Sequence, residues 1–514
     1  KLITGSIERI KDINIIPSPY LTGVLDQSFQ LPLIPMIETT RGCPFTCTFC
    51  ADGLGIKSKI NRYESQRTRE ELQLIAKNIN KVDELIVTDL NFGMYKQDME
   101  TAKEIANIQK NYNYPISVDA PAGKNMPKRI INIASIMKGW SMGGVIQSSD
   151  PDVLKAIKRS NISISAYQDL IDFGNKQKAN RTYTEIILGL PSDTKERHFE
   201  SLRLGVEKSV NNLRMHQAML LTGTEMASKR DREKYGLVTK FRTLPGNVGN
   251  YNILNEEHPV AEIEEIVVGS NTLSMNDYVE CRIMNLIIKT FYNNNIFNEI
   301  HSMQRAMDIS PFDCLVYIKD HEEMYTEKVK KIIESFVTET TEDLFDTREK
   351  ANEYVLSPNV INKYINGELG TNELFYHSSL LFNEFKDISD LIFESAKRVI
   401  KQKGLLTPLI ENYLTDLKRF TLMRKNIPLN NTESVLLGEF EYDFETIHKS
   451  EYFLNPNSIS KLKTPIQLKF FHTIKQQEHI ANQQKLYSNH ALGLGRLLQQ
   501  TNLNLVFRSF EQNQ

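Results

Sequence analysis

Three of the chain's five cysteines crowd into one stretch, TTRGCPFTCTFCADG, as Cys43, Cys47 and Cys50. Thiolates are metal ligands, and their number sorts the candidate metals. A structural zinc site usually takes four protein ligands, commonly as two C-x2-C pairs, and no second pair stands nearby. A redox C-x-x-C needs only two thiols. A [4Fe–4S] cluster has an iron for each of four terminal ligands, so three thiolates on one loop leave one iron open. A small molecule with an amine and a carboxylate can chelate that iron. Incidental thiols, or a zinc loop completed by a distant histidine, are the competing readings.

The remaining cysteines, Cys281 and Cys314, stand alone in the apolar runs YVECRIMNL and PFDCLVYI and read as small buried residues. Five cysteines in 514 residues make no disulfide framework, which points to a reducing compartment, most simply the cytoplasm. A net charge of −2 gives no electrostatic sign of a nucleic-acid or membrane partner, and no apolar run is long enough to span a bilayer.

The elements that position the thiols alternate. Candidate strands are LIPMIET (33–39), ELIVTDL (84–90), PISVDA (115–120), GGVIQSS (143–149), TYTEIILGL (182–190) and RMHQAMLL (214–221). Amphipathic stretches lie between them, at 69–80, 98–112 and 151–160, the last opened by Asp150 as a cap before Pro151. Such alternation predicts parallel strands with right-handed crossovers. Six β/α units are two short of a closed eight-fold barrel, so the expected fold is α/β, a partial (β/α)6 barrel over 31–225. Residues 1–30 read as a linker, and 226–280 as an irregular connection marked by turn signals such as TLPGN. The rest, 281–514, reads as mostly helical, as does the segment PVAEIEEIVVGS before it, with one short β-type run at 465–473. The cysteine loop follows the first strand, at the end where ligands gather in α/β folds.

C-x3-C-x2-C in that place, with Phe49 before the last cysteine, resembles the radical S-adenosylmethionine (radical SAM) superfamily. The resemblance implies a [4Fe–4S] cluster on Cys43, Cys47 and Cys50 and S-adenosylmethionine on the open iron, cleaved to a 5′-deoxyadenosyl radical. It extends to later strand ends. VTDLNFG (87–93) keeps the Asp89 and Phe92 of a Phe-x-Asp-Asp-x-Phe-like motif but has Leu90 at its second acidic position. Asp89 and Asn91 offer acceptors for the cofactor's ammonium group. The stretch GVIQSSDPDVLKAIKRSN (144–161) brings Gln147 and Ser148 toward the ribose or methionine part, and Arg159 toward the carboxylate. In EIILGLPSDT (185–194), Glu185 points to the barrel interior if alternation holds, and Gly189 lets the backbone pass close to the adenine. Each of these residues also has a plain structural reading as a cap, turn or surface charge. No residue is assigned a catalytic role.

The opening IERIKDINIIPSPYLTGVLD (7–26) is similar to the linker that precedes the barrel in members with an N-terminal cobalamin-binding domain, although that domain is absent from this sequence. Cobalamin is thus implied by resemblance, and with it methylation of an unactivated carbon. Without it, epimerisation, dehydrogenation or ring formation stay open, as does a non-enzymatic iron–sulfur or zinc module. A methylthiotransferase would need a second cluster, for which only Cys281 and Cys314 remain. The implied partners are a small-molecule or peptide substrate and a reductant such as flavodoxin or ferredoxin. His472, His479 and His490 read as structural or exposed.

Overall fold

The computed structural model describes residues 10–177, 182–366, 368–370, 372–427, 432–487, 497–498 and 503–513. His490 and the first residues of the expected linker lie outside them. From Met36 short strands and helices follow one another: β1 (Met36–Ile37), β2 (Thr40–Arg41), β3 (Asn61–Arg62), α1 (Ser65–Asn78), β4 (Glu84–Val87), α2 (Asp98–Tyr112), β5 (Ser117–Asp119) and α3 (Pro127–Ile136). Then come α4 (Pro151–Ala156), α5 (Ile164–Lys176), β6 (Tyr183–Leu188), α6 (Lys195–Glu207), β7 (Asn212–Gln217) and α7 (Lys229–Tyr235). The helix ends have local causes. Asp150 accepts from the amides of Asp152 and Val153 to cap α4, and Asn113, at φ 53°, ends α2 in the left-handed region.

β1, β4 and β5 pair in parallel, with Met36 opposite Ile86 and Leu85 opposite Val118. β6 and β7 also pair in parallel, with Glu185 opposite Arg214. Residues 140–147 join the two sets through isolated parallel bridges: Trp140 to Val118, Gly143 to Tyr183, and Gln147 to Ile186. The strand expected at 143–149 is therefore a row of bridges, because Gln147 sits at φ 61° and breaks the extended run.

One face of this ladder is apolar and fully buried. Leu85, Val87 and Val118 share a core with Leu72 and Ile75 of α1, Ile105 and Ile108 of α2, and Ile133 of α3. Ile186 and Leu188 of β6 are equally closed off. Trp140 completes that side, its ring edge-on to Phe92 at 5.3 Å and its Nε1 donating to the Ala120 carbonyl.

The chain divides into two compact units. Lys1–Asp193, Lys208–Leu237 and Ser270–Thr272 make one; Thr194–Glu207, Val238–Gly269 and Leu273–Gln514 make the other. All the expected site residues lie in the first.

The irregular connection expected over 226–280 is corrected by the structure. After α7 come two long antiparallel strands, β8 (Val238–Ile253) and β9 (Glu256–Gly269). The segment read as a helix, PVAEIEEIVVGS, is most of β9. Its Ile, Val and Glu spacing suits either period, and pairing with β8 decides for the strand. TLPGN is absorbed inside β8: pairing steps from Thr243–Ile263 to Val248–Ala261, with Gly246 at φ 77° in the irregularity. Arg242 of β8 is held by Glu264 of β9, at 2.6 Å, and by Glu373.

Beyond β9 the second unit is largely helical, through Met275–Phe291, Pro311–Asp320, Glu327–Glu342, Phe385–Gln402 and Pro408–Lys425. Ile466–Phe471, the expected β-type run, is the middle strand of an antiparallel sheet with Leu436–Phe440 and Ser509–Gln512. Among the described residues no helix is long and apolar enough to cross a membrane.

Ile186 is fully buried at the junction of the ladder's two halves. Ile186→Ala is expected to cost about 2–5 kcal/mol, read as a lower urea midpoint.

Candidate metal and cofactor centre

The cysteine loop leaves β2 and is gripped at its middle. The Thr48 amide donates to the Ile157 carbonyl at 3.1 Å, and the Thr48 carbonyl accepts from the Met226 amide at 2.9 Å. Its start is held by the Cys43 amide on the Lys57 carbonyl, and its last turn by the Cys50 amide on the Cys47 carbonyl. Cys43 and Cys47 are buried and Cys50 is half-buried; all three are free thiols. Gly53 closes the loop, because a Cβ there would lie 2.4 Å from the Cys47 carbonyl oxygen. Among the described residues no three His, Cys, Asp or Glu side chains gather as a single metal ion requires. A four-iron cluster asks for something else, one thiolate per iron.

Asp89, at the end of β4, fastens the strand that feeds the loop. Its Oδ1 accepts from the amides of Thr39, at 2.7 Å, and Thr40, at 3.0 Å, while Oδ2 accepts from the Thr39 hydroxyl. Burial pushes its pKa up from 3.8 to about 6, and those hydrogen bonds oppose the rise. Asn91 is two residues on. Its Nδ2 donates to Cys43 Sγ at 3.4 Å, and its Oδ1 is buried without a hydrogen-bond partner. Asp98 shapes this turn by accepting from the amides of Gly93 and Tyr95.

Arg159 is the buried cation of the site. Its Nε donates to Asn161 and its Nη2 to the Val145 carbonyl, while Nη1 has no hydrogen-bond partner. Burial lowers its pKa; Cys47, Glu185 and Cys43 act in the opposite sense, so these groups share one neighbourhood. Gln147, held in the left-handed region between the Glu185 carbonyl and the Ile187 amide, has a buried Oε1 without a partner. Ser148 lies at a turn where its hydroxyl accepts from the Asp150 amide and its carbonyl from Asn161. Gly189, at φ 84°, donates its amide to Asp193. The structure thus brings Asn91, Arg159 and Glu185 together around the thiols; Asp89, Ser148 and Gly189 are engaged in backbone turns and strand ends.

Two side chains escaped the sequence reading. Lys124, after β5, reaches Cys47 Sγ at 4.0 Å and lies over the Phe45 ring at 5.1 Å. Tyr95 lies near Cys43 with a buried, unpartnered hydroxyl; burial pushes its pKa up to about 12, with Arg62 opposing and Cys43 reinforcing. Both follow the C-terminal ends of strands, and that position was the available signal.

Residues 37–204 match the Radical SAM superfamily. The chain is 30% identical over 279 residues to the cobalamin-dependent radical SAM methyltransferase TokK of Streptomyces tokunonensis, covering 51% of this chain and 39% of that protein. It is 29% identical over 283 residues to the 2-(S-pantetheinyl)-carbapenam-3-carboxylate methyltransferase of Streptantibioticus cattleyicolor, covering 52% and 39%. The chain thus spans well under half the length of these relatives. Among solved structures, the cobalamin-dependent S-adenosylmethionine radical enzyme OxsB aligns with a TM-score of 0.35 at 12% identity, covering 78% of this chain and 59% of that one.

Two outcomes follow from this geometry. Gly53→Ala is expected to lower the iron retained after reconstitution, with far-UV circular dichroism unchanged, because a methyl group cannot fit against Cys47. Asp89, with its folded-state pKa raised, contributes stability that is present below pH 3.8 and lost as pH rises through about 6. Between pH 5 and 7.5 this amounts to about 1.4 kcal/mol, a decline in urea stability that Asp89→Asn is expected to lack.

Proposed function

We propose, from the premise that residues 37–204 of this chain form a radical SAM domain, that the protein is a radical S-adenosylmethionine enzyme with a [4Fe–4S] cluster on Cys43, Cys47 and Cys50. We further propose that it methylates carbon with cobalamin as a second cofactor. The observation that carries the reading is a mostly buried three-thiol loop flanked by cations and by polar atoms still lacking partners. Three thiolates are costly to bury alone. Arg159 and Lys124 offset their charge, and the Asn91 amide donates to Cys43 Sγ. Asn91 Oδ1 and Gln147 Oε1 are acceptors suited to an ammonium group, and Arg159 Nη1 is a donor suited to a carboxylate. These are the two ends of an amino acid, as the methionine part of S-adenosylmethionine requires.

When bound, the reduced cluster supplies the electron that cleaves S-adenosylmethionine to a 5′-deoxyadenosyl radical. The protein's own task is to hold the reactants in one geometry and keep water away. The ladder, paired in chain order and buried on its helix side, supports a partial (β/α)6 barrel with the thiol loop at its rim. The methyltransferase names of the two relatives and the linker-like opening of the chain support the cobalamin-dependent outcome. On this reading the partners are a small-molecule or peptide substrate and a cytoplasmic one-electron donor such as flavodoxin or ferredoxin.

Anaerobic reconstitution tests the proposal. About four irons and four sulfides per chain are expected, with S-adenosylmethionine cleaved on reduction. Cys47→Ala should reduce both to background, and Cys281→Ala should leave both intact. Bound zinc without cleavage would identify a metal-binding module instead, and iron loss in Cys281→Ala would refute the ligand set.

A further inference from the structure

The ladder's second face is open, and it carries charges besides the Glu185 that neighbours Arg159. Leu213 and Met215 of β7 are buried on the helix side, so Arg214 and His216 point to the other, where both are exposed. The register sets Arg214 beside Glu185 and His216 beside Ile187. Asp119 of β5 alternates with buried Val118 and acts on Tyr183 electrostatically, which puts it on this face too.

Arg214 is held ready for a ligand. Its guanidinium stacks on the Tyr183 ring at 3.8 Å, and that ring is itself seated over Gly143, where a Cβ would lie 2.3 Å from it. Glu185 is ion-paired with the guanidinium at 3.7 Å, a separation too long for a hydrogen bond, so the donors of Arg214 are not taken by that carboxylate. The side chain is 43% exposed, so stacking fixes the plane of the guanidinium while leaving its N–H edge to solvent. His216 is exposed, and desolvation lowers its pKa. Glu185 opposes that lowering and Arg214 adds to it, so the three form one electrostatic group.

The charge balance limits the ligand. Two carboxylates, Asp119 and Glu185, face one guanidinium and a largely neutral imidazole. On that net negative face a dianionic phosphate meets stronger repulsion than a single carboxylate, which can still take the planar edge of Arg214 with two parallel hydrogen bonds.

We propose that Arg214, with His216 beside it, docks a carboxylate group of the substrate on the open face of β6 and β7. The radical SAM reading enters only in calling that ligand the substrate. The test uses the full-length reconstituted protein and saturation-transfer NMR titrations with butyrate, butyramide and butyl phosphate. Butyrate is expected to bind saturably and the other two more weakly. Arg214→Gln should weaken butyrate roughly tenfold or more, and Arg214→Lys less, since lysine keeps the charge but not the fork. No saturable butyrate binding, unchanged binding in Arg214→Gln, or binding of butyramide or butyl phosphate as tight as butyrate overturns the proposal. Should Arg214→Gln fail to fold, phenylglyoxal footprinting of the wild type decides: butyrate should protect Arg214, and lack of protection overturns the dock. S-adenosylmethionine cleavage by the same preparation separates the two readings, because butyrate binding does not depend on turnover.

Discussion

Three thiols on one short, mostly buried loop are a concentration of negative charge waiting to happen, and much of the first unit answers that constraint. Deprotonated and unpartnered, they would be among the costliest groups a fold can enclose. Arg159 is buried beside Cys47 and Cys43, Lys124 reaches Cys47 Sγ, and Asn91 donates to Cys43 Sγ. The backbone takes part as well. Thr48 is fixed on both sides by Ile157 and Met226, and only glycine fits at position 53 against Cys47. These residues come from several segments of the chain, so the loop's geometry is a product of the parallel ladder as well as of the loop.

Asp89 makes the same point from the strand side. With both oxygens taken by Thr39 and Thr40, it ties the end of β4 to the chain entering the loop. It is best understood as a positioning residue, with Asn91 and Arg159 retaining unused hydrogen-bonding atoms close to the thiols. On the ladder's open face Glu185 lies beside Arg214 and Asp119 acts on Tyr183, which leaves a polar surface where the opposite face of the same strands is mostly apolar.

Much of this was legible in the sequence, for identifiable reasons. Ligand spacing is local, so Cys43, Cys47 and Cys50 declare themselves within one loop. Asn91, Arg159 and Glu185 were pointed to by the resemblance of their motifs, and the fold brings them into the neighbourhood of the thiols. Lys124 and Tyr95 had only their place after strand ends to mark them, because what singles them out is the thiols they approach across the fold. The hairpin of β8 and β9 was misread for a different reason. Ile263, Ile266 and Val267 fit a helical repeat as well as a strand, and TLPGN signals a turn where the structure has an irregularity inside a strand. Only the partner strand resolves such a segment, and its register is a long-range fact.

The central claim is that the protein leaves one iron of a cluster unligated so that a cofactor can complete it. Electron–nuclear double resonance on the reduced, reconstituted protein with S-adenosylmethionine labelled by 15N at the amine and 17O at the carboxylate reads that coordination directly. The account predicts hyperfine coupling from both labels; a cluster signal with coupling from neither would contradict it.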